Sequence, residues 1–140
     1  MQAGTPLLAI TPTDGKAIGV AKQLAAAGAF AFQGMVGPSR ASWMGSWYFV
    51  KQHPLYECLP VNQAMGIHYQ VKSGGSNGWL VEGSGFEVVA GYGRDHDRRI
   101  GAGTLVASVG HSRIVLQRVV DMHPVFMQRF VANALRYLAS

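Results

Sequence analysis

Acidic residues are scarce in this chain: seven Asp and Glu stand against twelve Lys and Arg. A glycosidase needs two carboxyl groups facing each other across a sugar bond, and only Asp14, Glu57, Glu82, Glu87, Asp95, Asp97 and Asp121 could supply them. Asp14 stands where a helix cap is needed, Glu82 and Glu87 fall on short apolar strands near a turn, and no spacing selects a pair. No catalytic residue is therefore assigned. Cysteine is scarcer still: the lone Cys58 excludes an internal disulfide and leaves the redox compartment open. Charged residues make up only 14% of the chain against 49% hydrophobic, a balance that suits a packed globule and excludes extended disorder. No apolar run is long enough to span a bilayer, and the first eight residues lack the basic-then-apolar pattern of a signal peptide. No membrane partner is expected, and localisation stays open.

The net charge of +5 would point to nucleic acid if the basic residues clustered. They do not. Arg94, Arg98 and Arg99 share their segment with Asp95 and Asp97, while Arg113, Arg118, Arg129 and Arg136 are scattered over a later strand and helix. No aromatic-basic stripe and no zinc-ligand spacing accompanies them, so neither nucleic acid nor a metal is expected. Gly91-Tyr92-Gly93 and Gly101-Ala102-Gly103 are followed by strand-like rather than helical sequence, which excludes a dinucleotide fingerprint, and no cofactor is implied.

What is present reads as one α/β domain over 1–140. Leu7-Leu8-Ala9-Ile10 predicts a buried strand. From Asp14 to Ala27 the residues Ala17, Ile18, Val20, Ala21, Leu24 and Ala25 share a helical face, with Gly28 as the stop. Residues 29–36 read as a second strand, and strand, helix, strand suggests a parallel crossover. The aromatic stretch 43–50 has no clean period and reads as irregular or as a short helix ending near Leu59-Pro60. Short strands follow at 66–71, 80–82, 86–92, 104–109 and 113–119, the last two joined as an antiparallel hairpin by Gly110-His111-Ser112. Residues 124–138 make the strongest helix, with proline in the first turn and Phe126, Phe130, Ala134 and Leu138 on one stripe, Val131 and Leu135 beside it.

The most conspicuous polar cluster runs from Gly91 to Arg99. Its Asp95 and Asp97 flank His96, but in extended chain the two acids share a face while the imidazole points away, which disfavours a chelate. A salt-bridged turn is the simpler reading, and contact of Arg94, Asp95, His96 and Asp97 with a ligand is the functional alternative. Trp43, Trp47 and Trp79 could stack on sugar rings, although aromatic residues in a domain this small serve more often in a core or an interface. Cys58, in Tyr56-Glu57-Cys58-Leu59-Pro60, lacks a glycine-flanked elbow and reads as a small, partly buried apolar residue. His111-Ser112 reads as a turn.

Several runs together resemble the glutamine-amidotransferase-like, flavodoxin-related domain near the C-terminus of some bacterial glycoside hydrolase family 2, β-galactosidase-type proteins. They are residues 53–60 with 65–70, then residues 110–116, and finally His123-Pro124 with residues 133–138. The likeness covers the last two-thirds of the chain; the first third agrees only in its βα pattern. It implies a central, mostly parallel sheet with an antiparallel hairpin, flanked by helices. It also implies an accessory position in a longer hydrolase whose carboxylates lie in a separate barrel. Glutamine amidotransferases use a cysteine in a glycine-flanked elbow, which is missing here, so no catalytic residue is carried over. The expected role is a non-catalytic accessory or assembly domain whose partners are other domains of the parent, or further copies of itself. A carbohydrate-binding module using the tryptophans is the alternative, and a small hydrolase built on the 94–99 segment is a third reading.

Overall fold

The computed structural model describes residues 5–11, 14–36, 46–59, 61, 78–94, 100–118 and 124–140, with backbone alone at 14, 36, 46–49, 92–94 and 100. In order the elements are β1 (Leu7–Ile10), α1 (Asp14–Ala26), β2 (Ala31–Val36), β3 (Ser46–Val50), a 3-10 turn (Pro54–Tyr56), β4 (Gly78–Glu82), β5 (Phe86–Arg94), β6 (Ile100–Val109), β7 (Ser112–Gln117) and α2 (Pro124–Ala139). The predicted strand at 66–71 lies outside the described residues.

Two-residue alternation organises the sheet. Along β7, Ile114 and Leu116 face one hydrophobic cluster while Val115 faces the other; along β6, Leu105 and Ala107 divide from Val106 in the same way. The first cluster takes Ala17, Ala21 and Leu24 from α1, and the second takes Phe130 and Ala134 from α2 together with Leu55 and Tyr56 of the 3-10 turn. Helices thus cover both faces of a mixed sheet, an α/β arrangement. Full burial of one such side chain, Phe130 for instance, contributes about 1.5–3 kcal/mol.

Local signals in the sequence set the helix ends. Gly28 takes a φ of +94°, its N–H donates to Ala25 O at 3.0 Å, and Ala29 N–H donates to Leu24 O at 3.0 Å. That pair of bonds is a Schellman motif, and its left-handed residue is the one place in the turn where a side chain would be strained. At the other end of the chain, Arg113 of β7 donates through Nη1 to Tyr137 O at 3.0 Å, satisfying a carbonyl of the last turn of α2 that has no partner within the helix. The predicted stripe of α2 is buried or half-buried, but Leu135 turns outward and is 58% exposed.

Three expectations are corrected. The parallel partner of β1 is β7, from the other end of the chain, in the register Leu7↔Ile114 to Ile10↔Gln117. The second strand, β2, pairs antiparallel with β4 instead. Nor is the sheet mostly parallel: the pairs β2–β4, β3–β5, β4–β6, β5–β6 and β6–β7 are all antiparallel. The aromatic run read as irregular is a strand over Ser46–Val50, because β5 offers it a complete antiparallel ladder from Ser46↔Arg94 to Val50↔Ala90.

Candidate functional site

In open α/β sheets, ligand sites gather beyond the carboxyl ends of parallel strands. At that end of β1 and β7 the structure assembles buried polar side chains from four parts of the chain: Thr11, Tyr56, Thr104, Gln117 and Arg118, each at most 2% exposed. Three of them form a closed cycle. Thr104 Oγ1 donates to Gln117 Oε1 at 2.5 Å, which commits its single proton. The Tyr56 hydroxyl, 2.7 Å from Thr104 Oγ1, must then be the donor in that contact. Gln117 Nε2 returns to the Tyr56 oxygen at 3.5 Å, so each group gives one proton and takes one.

Arg118 fastens the strand ends beside this cycle. Its Nη1 donates to Thr11 O at 2.7 Å, its backbone N–H donates to Gly103 O at 2.7 Å, and Thr11 N–H donates to Gln117 O at 2.9 Å. One residue after β1, one after β7 and one within β6 are thereby locked at a common level. Five neutral or cationic groups arranged in this way can orient, donate hydrogen bonds and hold a positive charge. They offer no carboxylate, imidazole or thiol to take up a proton.

The 3-10 turn that delivers Tyr56 carries the nearest such groups. His53 caps it: the residue is extended (φ −159°, ψ 151°), its Nδ1 accepts from Leu55 N–H at 3.1 Å, and Pro54 follows at the position where a missing N–H is harmless. With Nδ1 accepting, the ring proton sits on Nε2, which is 3.9 Å from Glu87 Oε1. Burial holds the His53 pKa below the ordinary 6.5; Glu87 opposes that shift and Lys51 adds to it. The single lone pair of the neutral ring is taken by Leu55 N–H, which leaves none for general base catalysis. Asn133 of α2 holds the turn from the other side through Nδ2, which donates to Leu55 O at 3.0 Å and Glu57 O at 2.9 Å. Cys58 follows the turn, with φ +65° and an exposed side chain rather than the partly buried one expected. The left-handed backbone swings it out of the fold, while Leu55, Tyr56 and Leu59 go in.

The residues singled out from the sequence are separated by this geometry. Trp79 is fully buried and donates its indole N–H to Ala17 O at 3.0 Å, so it is a core residue joining β4 to α1 and presents no face to a sugar. Trp47 lies in β3, opposite Gly93. Arg94 is the last residue of β5, opposite Ser46, at the same end of the sheet as the polar cluster. Trp43, Asp95, His96 and Asp97 lie outside the described residues. Among the described residues no three His, Cys, Asp or Glu side chains come together in a way that could hold a metal ion.

The polar cluster itself was not anticipated. Its one legible signal is Gln117-Arg118 standing inside the apolar run Ile114-Val115-Leu116 to Val119-Val120, since polar residues in a buried strand need partners. Compared with protein-family models, curated proteins and solved structures, the chain finds no match.

Proposed function

We propose that this chain is a non-catalytic accessory or assembly domain of a bacterial glycoside hydrolase family 2-type, β-galactosidase-like enzyme. On this reading its fold is a flavodoxin-like, class I glutamine-amidotransferase-like one in which a parallel β1–β7 pair is extended by antiparallel strands. The observation that carries the reading is how the three resembling runs meet. The turn after His53, strand β7 and helix α2 pack as one unit, tied by Asn133 to Leu55 and Glu57, by Arg113 to Tyr137, and by the His53 ring against that of Tyr137 at 5.3 Å. Runs spread between residues 53 and 138 that resemble one family and also contact one another are more specific than any of them alone.

Support for assembly comes from α2, where Val125 near its start is 61% and Leu135 near its end 58% exposed. Large apolar side chains left in water on one helix suit a surface that another domain or another copy covers. Reading the coding sequence upstream of Met1 tests the parentage: a barrel and a jelly-roll domain in frame are expected, and an unrelated product there refutes it. Sedimentation velocity over a concentration series tests assembly, with self-association or binding of the upstream domains expected to weaken in Leu135→Glu. The burial of Trp79 removes one of the three tryptophans from the sugar-binding alternative. Titration with galactosides should leave tryptophan fluorescence unchanged; a saturable quench would favour that alternative.

A further inference from the structure

Three elements converge on the His53 ring. Its own turn takes the Nδ1 lone pair through Leu55 N–H, β5 presents Glu87 to Nε2 at 3.9 Å, and α2 lays Tyr137 against the ring at 5.3 Å. The His53 side chain is only 10% exposed, whereas Glu87 is 48% exposed and solvates its own charge. Among the described residues, Lys51 on the same segment is the other charge acting on the ring, and the Arg113 guanidinium lies on the Tyr137 ring, 5.2 Å from its centre. The Glu57–Arg136 contact at 3.8 Å closes the far end of the turn, with both partners more than 60% exposed. Among the described residues, one half-exposed carboxylate and the Lys51 cation thus act on a largely buried, neutral imidazole that serves as a hydrogen-bond acceptor.

We propose that His53 is a proton-operated latch: neutral, it holds the 53–59 turn closed, and protonated, it loosens that turn and the buried hydrogen-bond cycle that Tyr56 makes with Thr104 and Gln117. The chemistry of the ring dictates this. An imidazolium has N–H donors at both nitrogens and no lone pair. Rotating the ring does not help, because a flip only puts carbon where Nδ1 stood. In every orientation Leu55 N–H loses its partner, and a lost helix cap weakens a turn about tenfold in its opening equilibrium. The next bonds in line are Tyr56 N–H to His53 O at 2.9 Å and Leu59 N–H to Tyr56 O at 3.0 Å. Asn133 still holds Leu55 O and Glu57 O, so the turn loosens locally without leaving α2. Since Tyr56 reaches from this turn into the polar cluster, a proton taken up at His53 is felt at the carboxyl ends of β1 and β7.

Residue-resolved NMR of the full chain from pH 8 to pH 5 tests the latch. The His53 ring should titrate below pH 6.5, with the Leu55 amide and the Gln117 side-chain amide shifting at the same midpoint. Protection of the Leu55 and Tyr56 amides against hydrogen exchange, corrected for intrinsic rates, should fall about tenfold across it. His53→Asn supplies a capping oxygen that does not titrate; it should keep the protection seen at pH 7 and abolish the step. Glu87→Gln, at an exposed position, removes the carboxylate that favours the imidazolium and should move the midpoint further down. Titration of His53 at or above 6.5, a step that survives in His53→Asn, a Gln117 amide that does not follow, or an upward move in Glu87→Gln would each overturn the proposal.

Discussion

Replacing Thr104 with valine changes one buried atom and tests the closed cycle of side chains at the strand ends. Valine keeps the shape but loses the hydroxyl. The Tyr56 hydroxyl then loses its 2.7 Å contact with Thr104, and Gln117 Oε1 loses the donor at 2.5 Å. All three residues are at most 2% exposed, so water does not replace the lost partners at the surface. A buried polar group stripped of its partner costs about 1–3 kcal/mol, and two such groups make Thr104→Val about 3 kcal/mol less stable. For a domain of this size that lowers the melting midpoint by roughly 10 °C. The sharper expectation concerns the triple variant Tyr56→Phe, Thr104→Val, Gln117→Leu. With every member of the cycle apolar, no hydrogen bond within the cycle is left half-made, and the loss should shrink to about 1 kcal/mol despite three changes. Thermal melts and urea titrations of the four single and combined variants measure both. A Thr104→Val loss below about 0.5 kcal/mol, or a triple variant as unstable as the sum of its parts, refutes the reasoning.

Other perturbations follow from the same geometry. Gly19→Ala meets open space on the exposed side of α1 and should stabilise the domain by about 0.5–1 kcal/mol in a thermal melt, whereas a Cβ on Gly91 would collide with the backbone oxygen of Gly101, so Gly91→Ala should unfold the protein or lower its midpoint drastically. At Cys58 the left-handed backbone strains any side chain, and Cys58→Gly should raise stability by roughly 1 kcal/mol, while Cys58→Val lowers it. The lowered His53 pKa sets a pH dependence. The unfolded chain binds this proton more readily, so the contribution is fully present above the ordinary 6.5 and is lost as pH falls towards the folded value. Urea midpoints measured from pH 8 to pH 5 should decline on the acid side in the wild type and less so in His53→Asn.

Much of the local structure was legible because it is written in neighbouring residues. The strand at Leu7, the Gly28 stop, the Gly110-His111 turn and the amphipathic helix after Pro124 each need only a few adjacent side chains to declare themselves. Pairing beyond the β6–β7 hairpin was not legible, because a distant strand's partner is chosen by packing across the whole chain. Residues 29–36 look the same whether they lie beside β1 or, as here, against β4 across a bulge at Phe32/Gly34. Gly91 lies inside β5 and Gly78 opens β4, and both positions need glycine because β4, β5 and β6 approach too closely around Gly101 to admit a Cβ. Trp79 was weighed as a surface residue because hydrophobicity alone does not say which side of a sheet carries a helix. The polar cluster escaped notice because its members come from positions 11, 56, 104, 117 and 118, a proximity that only the finished fold creates.

The parallel pairing of β1 with β7 has a consequence for how the protein comes into being. The first strand leaves the ribosome roughly a hundred residues before its only described neighbour in the sheet. At ordinary rates of synthesis that is a delay of about 5–20 s. During this interval Leu7 and Leu8 belong to an apolar strand without its partner in the sheet; once β7 emerges, the β5, β6 and β7 meander can form by short-range closure. Docking of β1 on the free edge of β7 is then the late step that completes the sheet, and a nascent chain stalled before Ser112 is the form most exposed to aggregation.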